Sequence, residues 1–453
     1  KDAGGAAFNA ATGEKLTEEP FGAKPVRLNN RVRRALDGAL GSLTLMAADP
    51  AKRLAAAEAV FKSRDAAAAP VLKAALAKET DAKVRRAIEF AAAAVAVTDG
   101  SVAEAERLEA VAKLAERADQ DVKSLLQAAR VGASAALGAA IDKAVADIES
   151  RLAMLQTAQN VWYGISLGSV LLLAAIGLAI TFGVMGIINM AHGEMVMLGA
   201  YTTFMVQSYI RAHHPGLFDW SLPIALPMAF LVAGGVGVLM ERSIIRFLYG
   251  RPLETLLATW GVSLMLQQTV RSIFGPTNQE VGAPSYMSGY FDWFGLQITY
   301  GRLWIVVFSL VVFALLLVVM RATSFGLKMR AVTQNRRMAA CMGIRTPWVD
   351  SLTFGLGSGI AGVAGVALSQ IDNVSPNLGQ SYIIDSFMVV VFGGVGNLWG
   401  TLVAALSLGV ANKFLEPLAG AVLAKIMVLV FIILFIQKRP RGLFALKGRA
   451  VEA

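Results

Sequence analysis

Cysteine is almost missing from this 453-residue chain, and the single copy, Cys341, excludes an intrachain disulfide framework and any metal site built from several thiolates. Histidine is nearly as scarce, with three copies. No Gly-x-x-x-x-Gly-Lys-Ser/Thr run occurs, so the usual P-loop cradle for ATP phosphates is excluded. Charge is thin as well: 16% of residues are charged against 56% hydrophobic, and mean hydropathy is +0.57. That balance is too apolar for an ordinary soluble domain and rules out a disordered chain.

What is present is unevenly distributed. Residues 1–160 hold 23 of the 42 Lys and Arg and 21 of the 32 Asp and Glu, so this part is densely charged and nearly neutral. The remaining residues are oily and carry most of the +10 net charge. The pI of 9.7 therefore does not mark a nucleic-acid binder. Residues 1–28 read as an extended N-terminal segment, and their first 20 residues lack an apolar core; a signal peptide removed before Lys1 is the expectation. Residues 29–158 read as consecutive amphipathic helices, with starts at Asp49-Pro50, Asp81, Ser101 and Asp121. Asp49-Pro50-Ala51-Lys52-Arg53 is echoed at Asp81-Ala82-Lys83-Val84-Arg85, and more loosely from Asp119. Such spacing suits stacked helix pairs and resembles a short HEAT-like array; an irregular helical bundle is the alternative.

From Val161 the runs are long enough to cross a bilayer, at about 20 residues each. Spans are expected at 161–182, 186–210, 222–241, 253–274, 303–320, 349–371 and 418–437, with a longer apolar stretch at 382–414. Basic residues gather at 242–251, at 321–348, and in the tail from Lys438 to Arg449, which includes Lys447. The middle of these has no acid at all. These segments are expected on the cytoplasmic side, which puts residues before 159 outside. The fold class expected is all-α: a membrane-spanning bundle of about eight spans, with broken or re-entrant helices, over 159–440 and a basic tail over 441–453. Parity then requires 382–414 to enter and return. Its centre, Gly393-Gly394-Val395-Gly396-Asn397-Leu398-Trp399-Gly400, carries enough glycine for a break, with short half-helices at 383–392 and 400–413.

Two other places are polar within apolar surroundings. Asn189-Met190-Ala191-His192-Gly193-Glu194 puts an imidazole and a carboxylate where hydrocarbon makes both expensive. Either a half-helix end faces a transport path there, or Glu194 caps a helix and His192 merely packs. In 253–274, Thr259, Ser263, Gln267 and Arg271 recur every fourth residue and stay on one side of a helix. That row either hydrogen-bonds a neutral polar solute or bonds neighbouring helices. Lys425, in the last span, is expected to snorkel outward.

Residues 324–345 read as a short basic helix over 327–342 with a small-residue face. Here Gly326, Arg330-Ala331, Asn335, Ala339 and Gly343-Ile344 resemble the coupling loop of the permeases of branched-chain amino acid ABC importers. The 189–194 run with Leu198-Gly199-Ala200-Tyr201, and Phe392 to Asn397 with Gly400, are similar to motifs of the same family. The long helical domain ahead of the permease, and Ile371-Asp372-Asn373-Val374-Ser375-Pro376, look like the urea-importing branch. The resemblance implies a permease subunit, not an enzyme, with no cofactor of its own. ATP and magnesium would be bound by separate ABC ATPase subunits docked on 324–345. It further implies a second permease subunit, most simply in a heterodimer, a periplasmic substrate-binding protein, and the lipid of a bacterial inner membrane. A passive channel or secondary transporter is the competing class. A hydrolase built on His192 and Glu194 lacks a nucleophile or metal partner at suitable spacing.

Overall fold

An aspartate caps each of three helices in the first part of the chain. The computed structural model describes residues 44–444 except Phe294, so the expected 1–28 segment, residues 29–43, and Lys447 and Arg449 of the tail lie outside the described residues. The chain divides into two compact units between Met154 and Leu155.

The first unit runs through α1 (Pro50–Ser63), α2 (Ala69–Lys78), α3 (Ala82–Thr98), α4 (Glu104–Arg117), α5 (Gln120–Ala129) and the opening of α6 (Ala135–Met185), and α3 packs against α1, α2 and α4. The Asp49, Asp81 and Asp119 carboxylates cap α1, α3 and α5 by accepting from backbone N–H groups. Two of the expected starts differ. Ser101 sits in a turn in which it donates to Asp99, and α4 begins only at Glu104. Asp121 falls inside the first turn of α5, because Asp119 takes the cap. The echo between Asp49 and Asp81 extends to side chains. Four residues after each aspartate an arginine reaches back to the carbonyl two residues before it: Arg53 to Ala47 at 2.9 Å and Arg85 to Glu79 at 3.0 Å. Alanine and leucine fill the space between these helices, with Ala57, Leu72, Ile88, Ala91, Leu114 and Leu125 sealed in one core.

The second unit takes the rest of α6, then α7 (His192–His213), α8 (Ser221–Ser243), α9 (Pro252–Phe274), α10 (Tyr300–Ala322), α11 (Ser324–Gln334), α12 (Arg336–Cys341), α13 (Thr346–Leu368), α14 (Leu378–Gly393) and α15 (Leu398–Lys438). Among the described residues five helical stretches are long and apolar enough to cross a membrane, those containing α6, α8, α10, α13 and α15. The α14 helix is apolar but shorter. A small hairpin, β1 (Tyr290–Trp293) with β2 (Leu296–Thr299), pairs Tyr290 with Thr299 and departs from the all-α expectation. It lies in a loop rich in aromatic residues and glycine, between α9 and α10.

Three helices begin or break elsewhere than expected. Residues 186–191 are non-helical, because Gly186 turns the chain at φ 68° and α7 starts only at His192 rather than 186. The helix expected over 327–342 is two helices. Asn335 is extended (φ −154°, ψ 100°), and its side chain caps α12 by accepting from Met338 N–H at 3.0 Å. The break at Gly393, Gly394, Gly396 and Asn397 is there, with Gly394 at φ 102°, but both flanking helices are longer than the expected half-helices. Asn397 caps α15, and the turn lies against the tail: Leu443 N–H bonds Phe392 at 2.9 Å and Phe444 N–H bonds Gly393 at 3.2 Å. The turn thus stands at the level of the end of α15, not part-way along it. Pro417 and Gly420 kink α15 into two pieces.

Glycines bring the backbones of α7, α8 and α13 into contact. A Cβ on Gly199 of α7 would fall on the Gly362 carbonyl of α13, and one on Gly365 of α13 would strike the Val196 carbonyl. Gly237 of α8 sits likewise against Ser358. The three helices share one apolar core through Ala229, Ala233, Ala361, Ala364 and Val196.

Candidate translocation site

The non-helical run 186–191 folds back along α6 and carries the start of α7 to the middle of the bundle. His192 Nε2 donates to the Ala174 carbonyl at 2.8 Å, eleven residues before the end of α6. Met190 N–H donates to Thr259 Oγ1 of α9 at 3.2 Å. Gly193 faces Gly379 of α14 so closely that a Cβ on either would meet the other's carbonyl. Asn189 Oδ1 accepts from Ala191 N–H at 3.0 Å and satisfies the entry to the helix.

Glu194 is therefore not spent as a cap. Its side chain turns to α9, where Ser263 donates at 2.9 Å and Gln267 Nε2 at 2.7 Å, both to Oε1. Oε2 has no partner and is buried. Four of the expected pathway residues, Glu194, Thr259, Ser263 and Gln267, come together in this cluster, each less than a tenth exposed. His192 stands on the other side of the same turn, against α6, so its ring packs rather than joining the carboxylate. The last member of the row, Arg271, is exposed and bonds Asn377 Oδ1 at 3.0 Å. Chemically the cluster offers acceptor oxygens held by neutral donors. Among the described residues no cation bonds Glu194.

Sequence reasoning missed the partners of other buried acids. Lys425 does not simply snorkel: it pairs with Asp385 of α14 at 3.0 Å. Asp350 and Glu241 are buried at the end of the bundle that bears the basic links. The signal that could have found all three acids is the same, a lone carboxylate inside a long apolar run.

In the 324–345 segment the expected coupling residues shape and seat the chain. Gly326 packs on the Met320 carbonyl, to which Arg330 also donates. Asn335 caps α12, and Ile344 N–H bonds the Ala339 carbonyl at 3.1 Å. Gly343 closes the turn after α12, and Cys341 at its end is exposed. Ala331 is half-buried and Ala339 buried against the bundle, so the small-residue face looks inward and not toward a partner as expected. The exposed apolar side chains are Leu327, Met338 and Met342.

The family model described as "Branched-chain amino acid transport system / permease component" matches residues 160–436. The chain belongs to this permease family. The high-affinity branched-chain amino acid transport system permease protein LivH of Escherichia coli (strain K12) is 31% identical over 296 residues, covering 63% of this chain and 94% of LivH. The permease protein BraD of Pseudomonas aeruginosa, of the same description, is 30% identical over 293 residues, with the same two coverages. A shorter match, 31% over 113 residues, reaches the ribose import permease protein RbsC of Bacillus subtilis, covering 23% of this chain and 35% of RbsC. No solved structure matches. The protein is thus a multi-pass membrane component of an ABC-type permease family and not an enzyme. The family match starts at residue 160 and leaves the first helical unit outside it.

Proposed function

We propose that this permease forms the translocation pathway of an ATP-driven importer for urea in a bacterial inner membrane. The Glu194 cluster carries the reading: one carboxylate oxygen is held by a hydroxyl and an amide, the other is unengaged, and no cation is bonded to either among the described residues. Urea is neutral and planar, with N–H donors on both sides of one carbonyl, and needs acceptors without fixed positive charge. An amino acid's ammonium would find a partner in Glu194, but its carboxylate would also need a cation, and none bonds the cluster among the described residues. The helical unit ahead of the permease, outside the family match, supports the urea-importing branch, and we read it as a HEAT-like docking surface. A branched-chain amino acid substrate keeps one support, the printed names of the LivH and BraD relatives.

The basic links set sidedness, with 242–251, 321–348 and the tail cytoplasmic. With the 394–397 turn beside the tail, α14 and each piece of α15 count as crossings. Together with α6 to α10 and α13 this makes nine among the described residues, and the odd number puts the first unit outside. ATPase subunits then dock on the exposed Leu327, Met338 and Met342 of the cytoplasmic segment. A second permease subunit and an external binding protein complete the importer. Uptake of labelled urea and labelled leucine by the reconstituted complex is the test. Urea uptake in excess of leucine is expected, and the reverse would return the protein to the amino-acid branch.

A further inference from the structure

Both halves of the cytoplasmic segment pack against α13, but each also has a tie of its own. The α11 half is tied to α10, through Gly326 and Arg330 on the Met320 carbonyl. The α12 half is tied to α13: Arg336, its first residue, pairs with Asp350, which is fully buried. Between the halves lies the extended Asn335.

The tie at Arg336 continues. Its guanidinium also lies over the Tyr249 ring, 4.5 Å from the centroid. The Tyr249 hydroxyl donates to Glu241 of α8 at 3.0 Å, and Glu241 accepts from Ser351 of α13 through its other oxygen. Beside it Arg242 stacks on Trp348 at 4.6 Å, and these groups wall a cavity of about 270 Å³. Five side chains from α8, the 244–251 link, α12 and α13 are thus joined in one network. Among the described residues Asp350 Oδ1 has no partner, and Arg336 is the cation that compensates that buried carboxylate.

We propose that Arg336, Asp350, Tyr249 and Glu241 are positioning residues that latch α12 to α8 and α13. The inference rests on the reading of 324–345 as the ATPase-coupling segment. A displacement of α12 is delivered through this network to α13 and α8 together. Because α13 meets α7 backbone to backbone at Gly362 and Gly365, the displacement reaches the helix that carries Glu194. A two-ended contact of this kind is a physical route for coupling, and only a measured coupling change establishes it.

The test uses the complete importer in proteoliposomes, with labelled urea and ATP hydrolysis measured side by side. In Arg336→Gln/Asp350→Asn both charges go together, so no unpaired carboxylate remains. The ATPase subunits should still co-purify and hydrolyse ATP, while urea moved per ATP falls about fivefold. The exchange Arg336→Asp/Asp350→Arg should recover most of that ratio. A wild-type ratio in the double variant would overturn the latch. Loss of the ATPase subunits from the double variant would make Arg336 a docking contact instead, and would overturn it too. Should the double variant fail to reach the membrane, Tyr249→Phe carries the same test by removing one hydroxyl: a lowered ratio supports the latch and an unaltered one refutes it. A photo-crosslinker at Met338 in the otherwise unaltered chain probes the underlying reading separately. Failure to capture an ATPase subunit there would sink the coupling role of 324–345 itself.

Discussion

In the unit that ends at Met154, the buried acid Glu79 is surrounded. Arg53 grips both oxygens at 2.7 and 2.9 Å, and the N–H groups of Thr80 and Asp81 each add a bond at 3.0 Å. These donors, the Arg53 bond first, pull its pKa down to about 2. In the unit that begins at Leu155, Glu194 and Asp350 each keep one buried oxygen without a partner among the described residues. Both units stack helices, but the apolar helices of the second are long enough to lie in hydrocarbon, where water cannot complete the bonding of an acid. An acid held in an apolar bundle on half its bonding capacity is costly, and is kept where a ligand or a moving neighbour completes it.

The widest separation between the units should come from their glycines. Gly199→Val would drive a side chain into the Gly362 carbonyl and is expected to cost more than about 3 kcal/mol, enough to stop assembly of the bundle. Gly100→Ala, in a turn of the first unit with nothing within 4 Å, should stay within about 0.5 kcal/mol. Expression and detergent stability of the two variants, measured together, check the contrast; equal behaviour would break it.

A smaller, local effect is expected at Arg53→Ala, which strips the Glu79 clamp. Hydrogen exchange should then speed up in α1 and α3 before α4 and α5. The same clamp sets a pH window. Glu79 has its pKa lowered on folding, so its contribution is complete above the ordinary carboxyl value of 4.5 and fades as pH falls toward about 2. Acidification through that range should loosen α1 and α3 in the parent chain but change little further in the Arg53→Ala variant. Identical acid responses would refute the assignment.

The smallest effect on the fold, though not on transport, belongs to Gln267→Leu. It removes one of two donors to Glu194 and should slow urea flux about tenfold. The apparent affinity of the assembled importer should hardly move, because the proposed external binding protein would do the selecting. A shift in affinity with unchanged maximal flux would contradict that division of labour.

Local chemistry was legible in the sequence wherever its cause was local. Asp49 and Asp81 announce their helices because a cap needs only the next three residues, and the fourfold row of α9 lies on one face whatever surrounds it. That Ser263 and Gln267 would meet Glu194 was not legible, since they stand 69 and 73 residues away. The level of the Gly394 turn was hidden for the same reason: it is fixed by contacts with Arg441 and Phe444. Asn335 reads as one more polar residue in a helix, and only its competing side-chain bond to Met338 reveals the break. The inward turn of Ala339 was misjudged because smallness suits an inner face as well as an outer one.

Cys341 gives the comparison an instrument of its own. The chain's one thiol is exposed at the last position of α12, on the half of the segment that carries Arg336 to Asp350. A fluorophore or spin label attached there needs no engineered background, and it reports from the exact element whose displacement the latch would transmit. The parent protein thus arrives already tagged at the point where the hydrolytic and transporting halves of the importer would exchange force.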